Sequence, residues 1–286
     1  MISPEQFENE LNRIIKNGFR EDVGHGDHTS LSCIPSNTQG KAKLLVKDTG
    51  IIAGVAFAKK VFEYLDSDLH LETFINDGAK VHHGDVVFHV SGKSQSILQA
   101  ERFVLNAMQR MSAIATKTAF FVDLLKGTNT KILDTRKTTP GIRALEKWAV
   151  KIGGGVNHRF ALYDMIMIKD NHIDYAGGIP NAIKKANAYL SDLKKQLKIE
   201  IEVRSLKELN EVIKEGGVDR IMLDNFSPKE IVRALELIPN TYETEASGGI
   251  TDETIVDYAE TGVNFISVGA LTHSVKSLDL SLKAQV

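Results

Sequence analysis

The sequence holds a single cysteine, Cys33, among 286 residues, so it can form no internal disulfide and a reducing compartment is expected. It has no apolar run near the roughly 18 to 20 residues a membrane-spanning helix needs. An excess of either charge is also missing. The 35 Lys and Arg stand against 37 Asp and Glu, a formal net charge of −2. With a pI near 6.5, the chain lacks the basic balance of a nucleic-acid binder. Its opening, MISPEQFENELNR, shows no basic-then-apolar leader pattern, and a cytoplasmic protein is the expectation.

What is present is ordinarily globular: 42% hydrophobic and 25% charged residues, enough for a sizeable core. The length exceeds the roughly 250 residues at which single cores tend to split, which predicts one large or two medium domains. Ser3-Pro4-Glu5-Gln6 predicts a capped helix start, with Phe7, Leu11, Ile14 and Ile15 on one face and Gly18 as its end. The loop EDVGHGDHTS follows; its acids and histidines lack metal-ligand spacing and read as a structured turn. Short β runs (KAKLLVKD, GIIAGV, LHLETFI, DVVFHVSG) then surround a helix at VFEYL. Ser96 to Lys126 reads as one helix, on which Arg102 by itself is a solvated charge. From Lys131 the runs KILD, MIMIK, IEIEV, RIMLD, YETE and FISVG alternate with helices, the rhythm of βαβ units and a parallel sheet. Ser205 with Glu208 and Ser227 with Glu230 mark helix starts, Gly216 and Gly262 mark helix ends, and a further helix is expected near Thr251. Six strands are visible by pattern. Polar residues recur at their exits (Asp134, Lys169, Glu202, Asp224, Glu245), and in a (β/α) barrel such exits share the rim that carries the chemistry. The expected division is a mixed α/β domain over 1–112, a barrel over 113–272, and a tail, 273–286, that packs back on the first domain.

One stretch, Asp134 to His172, stands apart. It carries seven Lys and Arg against four Asp and Glu inside a neutral chain, which points to a small acidic ligand. Arg136 and Lys137 follow a strand, where an Arg fork can grip a carboxylate or phosphate. His158 and Arg159 follow Gly153-Gly154-Gly155; a helix stop also accounts for the glycines, though not for the pair. Lys169 at a strand end can form a Schiff base if burial lowers its pKa, but beside Arg136, Lys137 and Arg159 it reads as an anion holder. Glu202 and Asp224 at neighbouring exits are either a Mg²⁺ pair or structural ion-pair partners. Ser247-Gly248-Gly249 and Val268-Gly269-Ala270 lie where barrels seat a phosphate on backbone N–H groups.

The chain resembles the quinolinate phosphoribosyltransferases nearly end to end. The segments DTRKTTPGIR, GGGVNHR, IKDNH, LDNF, SGGI and VGALTHS carry the resemblance, with EDVGHGDHTS and ERFVLNAMQRMSAIAT upstream. Ala113 and Ala161 depart from it, standing where glycine is frequent in relatives. The resemblance implies an α/β sandwich followed by a seven-stranded (β/α) barrel, assembled as a dimer or a multiple of dimers. It implies transfer of phosphoribosyl from phosphoribosyl pyrophosphate (PRPP) to quinolinate, with loss of pyrophosphate and CO₂, giving nicotinate mononucleotide for NAD synthesis. It further implies that Thr135, Arg136, Lys137, His158, Arg159, Lys169 and a partner copy's Arg102 hold quinolinate, with Lys137 also near the pyrophosphate. Lys137, Glu202 and Asp224 are the implied catalytic residues, the two acids holding Mg²⁺, while Ser247, Gly248, Gly249, Val268, Gly269 and Ala270 seat the 5′-phosphate. Three alternatives stay open: a related transferase acting on nicotinate without CO₂ loss, a Lys169 Schiff-base lyase, and a non-catalytic nucleotide sensor.

Overall fold

The structure, a computed structural model, describes residues 2–285, and the chain divides into two compact units that interleave in sequence. One comprises Ile2–Phe120, Lys137–Gly154 and the chain from Ala270; the other comprises Phe121–Arg136 and Gly155–Gly269. In chain order the first elements are α1 (Pro4–Asp22), α2 (His28–Cys33), β1 (Gln39–Val46), β2 (Gly50–Ile51), α3 (Val55–Leu65), β3 (His70–Thr73), β4 (Lys80–Val81), β5 (Val86–Lys93) and α4 (Ser94–Leu124). They are followed by β6 (Lys131–Leu133), α5 (Arg143–Ile152), β7 (Ile166–Ile168), α6 (Asp170–Ala176), α7 (Ile179–Asp192), β8 (Ile199–Val203), α8 (Leu206–Glu215) and β9 (Arg220–Asp224). The last are α9 (Pro228–Leu237), β10 (Glu243–Ser247), α10 (Ile255–Ala259), β11 (Phe265–Ser267), α11 (Ala270–His273) and β12 (Leu280–Gln285).

In the first unit β12, β1, β5 and β3 form one antiparallel sheet in that order. The C-terminal strand therefore pairs directly with β1, Leu282 opposite Leu44. Ala42, Leu44 and Val46 alternate inward along β1, as a period of two requires. Helices cover the sheet, and aromatic side chains knit the layer: Phe62 meets Phe88 edge-on at 6.1 Å, and Phe57 meets Phe103 at 5.8 Å. The Ser3–Gln6 capping box forms as expected. Gly18, however, does not end α1, which continues to Asp22. A Cβ at Gly18 would come 2.6 Å from the Phe103 ring, so glycine stands there to let the two helices approach, not to stop one. The expected turn after it is firm: Asp27 accepts the Thr29 and Ser30 N–H groups and caps α2.

The second unit contains the six expected parallel strands, in the order β6-β11-β10-β9-β8-β7. First strand pairs with last, β6 with β11, which is what closure into a barrel demands of a sheet otherwise built from sequence neighbours. The strand that pattern did not reveal is Val156: it bridges Leu133 in parallel, its N–H donating to Ile132 O and its carbonyl accepting from Asp134. Only the step from Val156 to β7 carries no ladder among the described residues.

Register explains the odd alternation of IEIEV and RIMLD. Glu200 lies opposite Arg220, Glu202 opposite Met222, and Met222 opposite Glu245, so these side chains share one face. Ile199, Ile201, Val203, Ile221 and Leu223 occupy the other face and are all buried. The polar face is buried too: Glu200 and Glu245 have no exposed surface. Ser227 and Glu230 form the expected capping box on α9, and Ser205 caps α8, but the Glu208 carboxylate turns to Arg204 instead of Ser205. The helix expected near Thr251 starts later, at Ile255, after a Thr251–Thr254 turn.

Candidate functional site

The charged face of the barrel strands has two levels. The deeper one is a closed ionic cluster. His158 Nε2 lies 2.8 Å from Glu200 Oε2 and 3.4 Å from Glu245 Oε2; Arg220 Nη1 lies 3.0 Å from Glu245, and its Nη2 reaches Glu243 at 3.0 Å. The Arg220 guanidinium also stacks 4.2 Å over the Phe265 ring. Burial, then the charge of Glu245, pushes Glu200 up to about 7, against His158 and Arg220. Burial opposes an imidazolium at His158, while hydrogen bonds to Glu200 and Glu245 favour it and raise His158 to about 9. The Nδ1 atom, however, accepts the Arg159 N–H at 2.6 Å, a place a full imidazolium would have to give up. The geometry therefore weighs for a ring carrying its proton on Nε2, shared with Glu200. His158, Glu200 and Glu245 bring ligand atoms within 4.8 Å of one another, a possible metal set. Arg220 already supplies a cation there, so the cluster reads as a structural ion network, with Glu200 Oε1 and Glu245 Oε1 buried without a hydrogen-bond partner.

The upper level gathers the groups named from sequence. Asp134, fully buried, accepts the His158 N–H at 2.9 Å and the Asn157 Nδ2–H at 2.6 Å, and so fixes the chain that presents Arg159. Arg159 is buried to 9% exposure. Burial, then the charge of neighbouring Arg136, holds its pKa below the usual guanidinium value. A buried guanidinium beside an exposed one of like charge is a setting that an anion relieves. Lys169 Nζ donates to Glu202 Oε2 at 2.6 Å, so an expected anion holder and an expected metal ligand meet in one ion pair. Asp224 lies close by: burial, then the charge of Glu202, raises its pKa, partly offset by Lys169. Two mutually repelling carboxylates spanned by one ammonium make a hard-oxygen site into which a divalent ion fits by charge and donor type.

Ser247 ends β10 and its carbonyl accepts the Asn225 N–H at 2.8 Å. Gly248 and Gly249 follow with φ of +101° and +62°, backbone that glycine adopts without strain. At the other small-residue exit Val268 is buried with its N–H committed to Leu133 O at 3.0 Å, which leaves that N–H engaged in the barrel ladder. Gly269 is half-buried beside it. Thr135 is half-buried and Arg136 exposed at the exit of β6.

Three further residues belong to the other unit. Ala270 begins α11. Lys137 is exposed, and its carbonyl accepts from Thr272 Oγ1 at 2.9 Å. Two positions on, Thr139 is held through its N–H and hydroxyl by Glu146, which has no exposed surface and pairs with Arg110 at 2.9 Å. Sequence reasoning passed over Glu146 and Arg110, since neither lies on a strand exit. Arg102 is exposed on α4 with Leu98 and Asn106, an i, i+4, i+8 stripe.

A cavity of about 370 Å³ lies beside β7, lined by Arg159, Leu162, Met165, Ile168, Ala182 and Lys185 among others. Its walls are mainly apolar and include α7, and of the charged groups above it shares only Arg159. The charged groups at the strand exits and this gap therefore have only Arg159 in common.

Known protein families match the chain over nearly its whole length. The model described as quinolinate phosphoribosyl transferase, N-terminal domain, matches residues 27–112, and that of the C-terminal domain matches 114–283. The chain is 47% identical over 289 residues to the chloroplastic nicotinate-nucleotide pyrophosphorylase (carboxylating) of Arabidopsis thaliana, covering 96% of this chain and 82% of that protein. It is 46% identical over 289 residues to quinolinate phosphoribosyltransferase (decarboxylating) 1b of Nicotiana tabacum, with the same coverage. The solved nicotinate-nucleotide pyrophosphorylase of Francisella tularensis superimposes with a TM-score of 0.88 at 39% identity, over 97% of this chain and 96% of that one. The chain belongs to the quinolinate phosphoribosyltransferase family.

Proposed function

We propose that the chain transfers phosphoribosyl from PRPP to the ring nitrogen of quinolinate with loss of CO₂, giving nicotinate mononucleotide and pyrophosphate for NAD biosynthesis. What supports this reading is that Arg136 bears on the buried Arg159, that Glu202 bears on Asp224, and that Lys169 reaches Glu202 at 2.6 Å, all of them beyond or at the ends of barrel strands. The two arginines suit a dicarboxylate; the two acids suit a divalent ion on a diphosphate.

In this reading Arg136, Arg159, Thr135 and Lys169 hold the two carboxylates, joined by Lys137 and a partner copy's Arg102. Lys137 also faces the pyrophosphate. His158 belongs to the same group; its commitment to Glu200 makes its share the fixing of the Arg159 backbone. Glu202 and Asp224 would hold Mg²⁺, which supplies charge neutralisation for the departing diphosphate. Lys169, paired with Glu202 at 2.6 Å, would be available to the substrate carboxylate if Glu202 were held by a cation instead. Ser247, Gly248, Gly249, Gly269 and Ala270 seat the 5′-phosphate, with Val268 shaping the turn behind them. No protein nucleophile is required: the pyridine nitrogen attacks C1 of the ribose as the C1–O bond to the diphosphate breaks. The resulting ring cation stabilises the electron pair left on C2 of the ring when the adjacent carboxylate departs as CO₂, and C2 then takes a proton from water. Catalysis is then positioning and fixed charge.

Assembly as a dimer or multiple of dimers belongs to the same reading, with the exposed face of α4 that carries Leu98, Arg102 and Asn106 as the surface a partner copy would meet. Among the described residues no helix is long and apolar enough to cross a membrane, and the thiol of Cys33 is free; both are compatible with a cytoplasmic place. The reading is tested by turnover with PRPP, Mg²⁺ and either quinolinate or nicotinate. Quinolinate carrying a labelled 2-carboxylate releases one labelled CO₂ per nicotinate mononucleotide formed, while nicotinate gives negligible product. Turnover of nicotinate at a comparable rate would overturn it.

A further inference from the structure

Asn225 immediately follows β9, and with Lys194 it is one of two non-glycine residues with positive φ among those described, at +57°. Asparagine tolerates this left-handed conformation better than most residues, yet the position remains uncommon and marks a place where the surroundings hold the chain. Three contacts do so. The Asn225 Nδ2–H donates to Asp224 Oδ2 at 2.6 Å. Its backbone N–H donates to Ser247 O at 2.8 Å. Its Oδ1 lies so close over Gly248 that a Cβ built there would be 2.2 Å away. The side chain is exposed, so packing into a core does not explain its fixed pose.

One carboxamide thus touches both the carboxylate assigned above to the divalent ion and the glycine turn assigned to the 5′-phosphate. We propose that Asn225 is a positioning residue that sets the distance and orientation between the metal-holding carboxylate and the phosphate turn, and so selects a ribose carrying a phosphate at one end and a diphosphate at the other. This rests on the phosphoribosyl reading. The left-handed backbone aims the amide at Asp224 Oδ2, so the Asp224 carboxylate would be offered to the ion in one fixed orientation. The same turn brings Oδ1 down on Gly248, which has no room for a side chain and is thereby pinned.

The discriminating variant is Asn225→Gly. Glycine adopts φ near +57° without strain and keeps the N–H donated to Ser247, so only the carboxamide is removed. Asn225→Ala removes it and adds backbone strain. Loss of a hydrogen bond that orients a metal-ligating carboxylate typically weakens binding by about 10- to 100-fold. Calorimetric titration of PRPP with Mg²⁺ should show weakening of that order in both variants. Titration of quinolinate alone should stay within about twofold of wild type, and in turnover the KM for PRPP should rise more than kcat falls. If Asn225→Gly binds PRPP with Mg²⁺ as wild type does, or loses PRPP and quinolinate affinity equally, the proposal is overturned while the phosphoribosyl reading stands. Wild-type protein that failed to bind PRPP at all would overturn both.

Discussion

Replacing Arg159 by Ala should lower kcat/KM for quinolinate by about 10²- to 10³-fold, the loss seen when one preorganised charge-stabilising donor is removed. The size follows from its setting. Arg159 is 9% exposed and lies beside Arg136, so burial and like charge both disfavour its guanidinium. A dicarboxylate cancels that repulsion, and deleting one guanidinium removes its own hydrogen-bond fork and part of the relief. Arg159→Lys should recover only part of the loss, because a point charge cannot bind both oxygens in the plane of a carboxylate. PRPP binding should be little changed, since Arg159 is not among the groups assigned to it. Steady-state kinetics with quinolinate as the varied substrate check this; wild-type kcat and KM in Arg159→Ala would remove Arg159 from the site.

Glu202→Gln and Asp224→Asn should each reduce turnover by on the order of 10²-fold or more. Charge stabilisation by a bound metal is worth several kcal/mol, and each 1.4 kcal/mol is tenfold in rate. Both variants should need a higher Mg²⁺ concentration for half-maximal rate. They differ in pH behaviour. Burial and Glu202 raise the Asp224 pKa, so wild-type activity falls on the acid side as Asp224 takes up a proton. Removing the Glu202 charge lowers that pKa, and the acid limb of Glu202→Gln should move to lower pH. Lys169, released from its 2.6 Å partner, stays available to the substrate. A magnesium requirement and acid limb unchanged in Glu202→Gln would show that the pair serves only as ion-pair partner to Lys169.

Much of this architecture was legible in the chain because local pattern and tertiary role agree. KILD, MIMIK, RIMLD and FISVG are strands by composition and strands in the barrel, and Ser227 with Glu230 caps the helix where the motif predicts. Where the reading fell short, a long-range contact overruled a local signal. Gly18 looks like a helix stop, but the partner that demands glycine there, Phe103, is far away in sequence. Val156 is a single bridging residue after three glycines and has no strand pattern to detect. Glu245 looks like a rim residue because it is polar near a strand end, yet it lies in the middle of β10, closed off by His158 and Arg220. The alternation of IEIEV ordinarily means one wet face; here the glutamate face is the inside of the barrel, which only strand closure creates.

The candidate site shows the same division. Basic residues after a strand and acids at neighbouring exits are sequence signals, and Arg136, Arg159, Lys169, Glu202 and Asp224 carried them. Asn225 lies in the LDNF segment but was given no role of its own, since its importance lies in one backbone angle and in its closeness to Gly248. Glu146 was silent, and Asp134 showed only its place at a strand exit: each is a buried acceptor that orders a loop, and burial cannot be read from a lone acidic residue.

The central claim is that paired guanidiniums on the barrel rim receive a dicarboxylate. The most direct test is a crystal structure of the protein with pyridine-2,3-dicarboxylate bound. The account predicts carboxylate oxygens within hydrogen-bond distance of Arg136 and Arg159, with Lys169 turned toward the ring acid; the compound seated in the apolar gap beside β7, or anywhere away from those two arginines, would contradict it.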